Sequence, residues 1–341
     1  MTGRPRHATP GCAPIDPAMS ADDVFLSRRR ALAGLAVLCA GPLTAQGATP
    51  PGASAPGRAA PTPTREALAQ RPVAASGESL PVIGLGSWIT FNVGDDRVAR
   101  EACTEVMRAF FAAGGRMIDS SPMYGSAQPV IGAGLARLGA AQQVYAADKV
   151  WTSSAARGPM QIEESRRHWN VPRFDLLQVH NLVAWREHLP MLQAMKDAGQ
   201  LRHVGITTSE GRRHSEVEQI MRSQRIDFVQ LTYNLVDREA EARLLPLARD
   251  RGIAVIVNRP FRGGGLLQEL QRHPLPPWAA DIDCRNWAQF APKFIVSHPT
   301  VTCAIPATTR VDHLRENMGA GLGRLPDPAL RQRMAAHVAG L

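Results

Sequence analysis

From residue 80 to the C-terminus, short apolar runs alternate with longer stretches in which apolar side chains return every three or four positions. The runs predict strands, and the longer stretches predict amphipathic helices. Strands are expected over residues 81–88, 116–121, 144–151, 174–181, 203–209, 227–234, 254–261 and 301–308. Helices are expected over residues 96–112, 128–138, 160–170, 187–198, 213–222, 239–251, 285–298 and 310–318. Gly114-Gly115, Gly199 and Gly252 fall just past helix ends, where glycine takes up the left-handed backbone without steric cost. Such alternation implies parallel strands joined by right-handed crossovers. Eight units in roughly 260 residues match an α/β chain closed into a (β/α)8 TIM barrel, whose sites lie at the C-terminal ends of the strands. The competing architecture is a doubly wound open sheet. It usually opens with a glycine-rich turn running straight into a helix, and Gly84-Leu85-Gly86 does not do so.

The first 79 residues break the pattern. Arg28-Arg29-Arg30 precede a short apolar run that ends in small residues, Ala45 and Gly47 among them, which is the organisation of a cleavable export signal. Gly41-Pro42 interrupts the run, which is too short to span a bilayer. Ser27-Arg28-Arg29-Arg30-Ala31-Leu32 resembles a twin-arginine signal. Residues 48–79 are rich in Pro, Ala, Gly and Ser and read as a linker. The expected organisation is therefore a signal peptide over 1–47, a linker over 48–79 and a barrel over 80–341. It implies the twin-arginine export machinery as a partner and a periplasmic or exported mature chain without stable membrane insertion. If the signal is not used, the location is cytoplasmic.

Composition narrows the classes. The chain is 44% apolar and 20% charged, enough to bury a large core, which excludes global disorder. The net charge is +9, of which the leader carries +2 from five arginines against three aspartates. The remaining positive charges are interspersed. Runs such as Arg166-Arg167-His168 and Arg212-Arg213-His214 lack interleaved aromatics and read as solvated helix faces, so nucleic acid is not an expected partner. Five cysteines without a C-x-x-C pair exclude a zinc ribbon and a dithiol motif, and no metal is expected. Cys103, Cys284 and Cys303 read as buried free thiols. There is no G-x-G-x-x-G and no Walker loop.

Strands buried on both faces should be aliphatic, so their polar residues are informative. Asp119 ends the second strand, Lys149 lies near the end of the third and His180 ends the fourth, while Gln230 and Thr232 lie in the sixth. Three successive strands thus present Asp, Lys and His at one end of the barrel. A buried lysine must be paired or neutral, and Asp119 is its nearest candidate partner. Tyr124 follows Asp119 by five residues and precedes Gly125, which permits a tight turn over the mouth. A phenol beside an ammonium is expected to have a lowered pKa and to serve as a general acid. Lys149 could instead be the nucleophile of a Schiff-base aldolase.

These residues resemble the aldo-keto reductase family over about residues 80–341. The resemblance rests on Asp119-Ser120-Ser121-Pro122-Met123-Tyr124-Gly125, Lys149 with Trp151, His180-Asn181 and Gly205-Ile206-Thr207-Thr208. It continues in Gln230-Leu231-Thr232-Tyr233-Asn234 and in Ile305-Pro306 with His313, Glu316 and Asn317. It implies a barrel that binds NAD(P)H without a Rossmann fold and reduces aldehydes or ketones. Asp119, Tyr124, Lys149 and His180 would be catalytic: Tyr124 gives the proton, Lys149 and Asp119 tune it, and His180 orients the carbonyl. Asn181, Thr207, Thr208, Gln230, Asn258, Arg259, Phe261, Arg262, Thr308, Arg310, His313 and Asn317 would meet the cofactor, NADP(H) in preference to NAD(H). Thr208 stands where the family usually has Asn, and Asn258-Arg259-Pro260-Phe261 stands where it commonly has a stacking aromatic before Ser-Pro-Leu. Trp88, Phe91 and Trp151 would line an apolar pocket for a small carbonyl substrate. A non-catalytic nicotinamide-binding envelope subunit is the reading from another class.

Overall fold

The computed structural model describes residues 67–341; the leader at 1–47 and the linker before residue 67 lie outside the described residues. The described chain opens with an antiparallel hairpin, β1 (Gln70–Pro72) and β2 (Ser79–Pro81). Eight parallel strands follow: β3 (Leu85–Gly86), β4 (Met117–Asp119), β5 (Tyr145–Val150), β6 (Leu176–Val179), β7 (His203–Thr207), β8 (Phe228–Thr232), β9 (Ala254–Asn258) and β10 (Val301–Ala304). Each pairs with the next. Bridges from Ile83 to Ala304 and from Gly86 to Ala307 join the last strand to the first, so the sheet closes as a (β/α)8 TIM barrel. Gly86 is needed at that seam, because a Cβ there would lie 2.7 Å from the Ile305 carbonyl oxygen.

The helices are α1 (Arg97–Ala112), α2 (Ala127–Leu138), α3 (Gly158–Trp169), α4 (Trp185–Asp197) and α5 (His214–Ser223). They continue with α6 (Leu244–Arg251), α7 (Gly265–Leu270), α8 (Trp287–Val296), α9 (Val311–Gly319) and α10 (Pro328–Ala339). Their starts and stops follow local chemistry. Asp96 caps α1 by accepting from the Val98 and Ala99 amides, and Gly252 (φ 65°) ends α6. Arg166 and Arg167 pair with Glu163 on the surface of α3, as solvated faces do.

Two buried clusters result. One fills the layer between barrel and helices. The other lies inside the barrel and is formed by Met117, Tyr145, Ala147, Leu176, Phe228, Ile256 and Cys303 together with Val73 and Leu80 of the hairpin. The hairpin therefore plugs the barrel floor, and the folded region begins before the expected boundary at residue 80. Strands this short leave no periodic trace, and their burial depends on a cavity that other segments create. Glu78 holds the plug by pairing with Arg116 at 2.9 Å and Arg202 at 2.5 Å. Cys103, Cys284 and Cys303 are free and buried, as expected.

Four further differences from the expected elements have physical causes. The strands are shorter than the apolar runs at their C-terminal ends, because those residues leave the sheet to line the mouth. The helix expected over 239–251 is a single 3-10 turn, Glu239–Glu241, followed by α6. Pro246 would clash with the Ala242 carbonyl in a continuous helix. The stretch between β9 and α8 contains α7 and a 3-10 segment, Pro277–Ile282, and the chain ends in α10. None of these was expected from the pattern. No helix among the described residues is long and apolar enough to cross a membrane.

Candidate active site

The site begins with the alternation of β5, which turns Lys149 into the barrel and Asp148 outward toward the helices. The Lys149 ammonium is fully buried and donates to Asp119 Oδ2 at 2.5 Å and to the Ser120 carbonyl at 2.7 Å. Asp119 Oδ1 accepts from Gln230 Nε2 at 2.8 Å and from Gln178 Nε2 at 3.2 Å. Gln178 escaped the sequence reading, although it lies two residues before His180 in a strand that is otherwise aliphatic. Burial pulls the Lys149 pKa down, but Asp119, Tyr124 and Asp148 outweigh it and the net shift is upward. The ammonium is therefore retained, which disfavours the aldolase alternative, since a nucleophilic lysine must lose its proton. Behind the strand, Asp148 accepts from Gln128 Nε2 at 2.6 Å and from the Lys149 amide at 2.8 Å, and burial lifts its pKa to about 7.

Tyr124 is placed by a short turn. Ser121 Oγ accepts from the Met123 amide at 3.2 Å and starts the 3-10 helix Pro122–Tyr124. Gly125 ends it at φ 59°, and a Cβ there would fall 2.3 Å from Asn92 Oδ1. That oxygen is already engaged by the Ser126 amide at 3.0 Å. The turn brings the Tyr124 ring centroid within 5.0 Å of Lys149 Nζ, and the ring stands edge-on to His180 with centroids 5.7 Å apart. The sequence led us to expect a lowered phenol pKa. The net direction is upward, because desolvation by burial outweighs the opposing pull of Lys149.

His180 follows β6 and is buried, with Nδ1 2.8 Å from Ser121 Oγ. Burial, aided by the Lys149 charge, lowers its pKa to about 2, so it is neutral at every ordinary pH. The Trp151 ring lies 6.5 Å from His180, and Trp88 and Trp151 are each 40% exposed beside the mouth. Phe91 is fully buried in the outer apolar layer, so it is a core residue and not the pocket residue expected. The turn after β3, closed by the Phe91 amide on the Ser87 carbonyl at 3.1 Å, carries it inward. Asp119, Tyr124, Lys149 and His180 thus meet at one end of the barrel with an indole at the rim.

The sequence profile of the aldo/keto reductase family matches residues 82–333. The chain belongs to the aldo/keto reductase family. It is an oxidoreductase by that membership. It is 26% identical over 258 residues to a methylglyoxal reductase of Escherichia coli (strain K12), covering 73% of this chain and 89% of that one. An NADH-specific methylglyoxal reductase of the same organism is 23% identical over 239 residues, covering 60% of this chain and 71% of that one. Among solved structures, an aldo/keto reductase from Klebsiella pneumoniae in complex with NADP and acetate superposes with a TM-score of 0.66 at 22% identity. It covers 77% of this chain and 93% of its own. At that identity the likeness establishes the barrel.

As an aldo/keto reductase the chain needs a groove for a dinucleotide across the strand ends, and its donors can be tested for fit. The carboxamides of Asn181 and Asn317 have no hydrogen-bond partner among the described residues, and Asn317 is buried. Gly263, Gly264 and Gly265 border open space, the first two at φ 70° and 101°. Such a set suits a ligand with several acceptors. Other expected contacts are already committed within the protein. Thr207 Oγ1 donates to Gln230 Oε1 at 3.2 Å. Asn258 donates to the Thr208 carbonyl at 2.8 Å and accepts from Thr232 Oγ1 at 2.7 Å, so it is knitted into the barrel wall. Phe261 is half-buried against the outer apolar layer. Arg259 pairs with Glu210 at 3.2 Å, Arg262 with Asp237 at 3.2 Å and Arg310 with Asp312. The Thr308 hydroxyl accepts from the Arg310 amide at 3.1 Å, and His313 is exposed on α9.

Proposed function

We propose that the protein reduces the carbonyl of a small aldehyde or ketone to the alcohol with NADPH, and that Tyr124 gives the proton. The convergence of the Tyr124 phenol, the buried Lys149–Asp119 pair and a neutral His180 carries this reading. When bound, a nicotinamide would supply hydride to the carbonyl carbon. As the carbonyl electron pair moves to oxygen, the Tyr124 O–H proton is transferred to that oxygen. A phenol with a raised pKa is fully protonated at neutral pH, so the proton is available. The phenolate left behind faces the Lys149 ammonium, which stabilises it until water restores the proton. Asp119 keeps that ammonium charged and in place. Trp88 and Trp151 offer flat apolar walls for the substrate.

The preference for NADP(H) rests on the exposed Arg315 within α9 and on Arg310 at its N-terminus, which would have to exchange Asp312 for a 2′-phosphate. The Klebsiella pneumoniae relative in complex with NADP supports it. Fluorescence titration should give a lower Kd for NADPH than for NADH; equal affinities would refute the preference. Replacing Tyr124 with Phe should lower kcat by about 10²–10⁴-fold and leave the NADPH Kd unchanged. Full turnover by Tyr124→Phe would overturn the assignment. We further propose that residues 1–47 direct twin-arginine export of the folded, cofactor-loaded protein. A reporter fused after residue 47 should reach the periplasm and be retained when Arg28-Arg29 become Lys-Lys.

A further inference from the structure

We propose that Ser121 is a positioning residue: its hydroxyl locks the His180 imidazole in the tautomer that carries its proton on Nε2, facing the substrate carbonyl. The proposal rests on the reductase reading above and adds a residue to its site. Ser121 is fully buried, so its single hydroxyl proton needs a partner inside the protein. The hydroxyl oxygen already accepts from the Met123 amide at 3.2 Å. The one remaining contact among the described residues is His180 Nδ1 at 2.8 Å.

Two arrangements are possible. If Nδ1 carried the proton and donated to Ser121, the hydroxyl proton would be buried without an acceptor. If the hydroxyl donates to Nδ1, both groups are satisfied, and the ring proton must sit on Nε2. Nε2 has no partner among the described residues and belongs to a ring that borders both Tyr124 and Trp151. The neutrality of His180 removes the third possibility, an imidazolium with protons on both nitrogens. In the locked tautomer, Nε2–H donates to the carbonyl oxygen. In the other, a lone pair would confront that oxygen and repel it. Ser121 also starts the turn that carries Tyr124, so one hydroxyl sets the direction of both groups that address the substrate oxygen.

The test uses nitrogen-15 NMR of the full chain labelled at histidine, in which the two ring nitrogens report the tautomer without any turnover. The wild type should show His180 as the Nε2–H form across pH 5–9; an Nδ1–H form would overturn the proposal. Ser121→Ala should blur that signature and lower kcat/KM by about tenfold or more, the scale on which outer-shell partners of functional histidines act. The NADPH Kd should stay constant. Ser121→Thr keeps the hydroxyl and should restore both tautomer and rate. Ser121→Ala with unchanged tautomer and unchanged kcat/KM would overturn the proposal, as would equal losses in Ala and Thr variants. If no carbonyl is reduced while the wild type shows the locked tautomer, the reductase reading fails and the assignment of Ser121 stands.

Discussion

At the scale of single residues, the site separates charge from neutrality over a few ångströms. Lys149 is held charged by a carboxylate that shares its burial, whereas His180, close to the same ammonium, is held neutral. A proton on the imidazole would be both desolvated and repelled. The pH behaviour follows. His180 does not titrate between pH 5 and 9, and Tyr124 ionises only above its ordinary value of about 10. Neither His180 nor Tyr124 should therefore place a limb on reductive kcat/KM between pH 5 and 9, and a limb near pH 6.5 that His180→Asn abolishes would contradict this. Stability has its own sign. A folded-state pKa depressed from 6.5 to about 2 gives a contribution present above pH 6.5 and lost as pH falls from there. His180→Asn should flatten the acid loss of stability by at most about 1.4 kcal/mol per pH unit. Urea titrations at pH 7 and pH 5 measure the difference.

At the scale of elements, barrel strands supply rigidity and the residues just past their ends supply chemistry. Ser121 and His180 leave the sheet within two residues of the last paired position, so backbone hydrogen bonds fix their starting points while their side chains meet beyond the strand ends. The Tyr124 turn is the least redundant of these connections. Gly125 combines a positive φ with the close approach of Asn92, and both oppose a side chain. Gly125→Ala should destabilise the protein by about 1–3 kcal/mol, since the displaced turn cannot relax without breaking the Asn92–Ser126 contact. It should also lower kcat, because Tyr124 moves with the turn. Thermal melts and single-turnover rates measure the two effects separately, and a variant with wild-type kcat would show that the phenol is placed by other contacts.

At the scale of the whole molecule, both ends of the described chain close the barrel. The hairpin fills the floor and α10 straps the side. Arg331 of α10 is buried and donates to the Phe294 carbonyl, to Ser297 Oγ at 2.9 Å, to Tyr233 Oη and to Glu241 at 3.1 Å. One guanidinium thus ties the last helix to α8, to the end of β8 and to the turn before α6. Arg331→Ala removes the donor from the Phe294 carbonyl and Tyr233 Oη, while Glu241 keeps Arg238 at 2.6 Å, and should cost about 1–3 kcal/mol, the scale for leaving buried polar groups unpartnered. The urea midpoint should fall with an unchanged m value, and the Tyr124 site, at the mouth, should keep its kcat in the folded fraction. A midpoint within error of the wild type would show that α10 is held by its apolar face alone.

The sequence by itself determined the barrel. Its short apolar runs alternate with stretches of period near four often enough, and at regular enough intervals, to favour the closed barrel over the open sheet. It also singled out Asp119, Lys149 and His180, because polar side chains in strands buried on both faces stand out locally, and Tyr124 through its spacing from Asp119. The tertiary structure decided what depends on neighbours distant in the chain. Gln178 and Gln230 reach Asp119 across 59 and 111 residues. Phe91 turns inward, the hairpin finds a floor to fill, and burial reverses the direction in which Lys149 alone would move the Tyr124 pKa. Periodicity is a local property, legible one segment at a time. Desolvation and hydrogen-bond partnership are sums over everything the fold brings near, and they exist only once the barrel has closed.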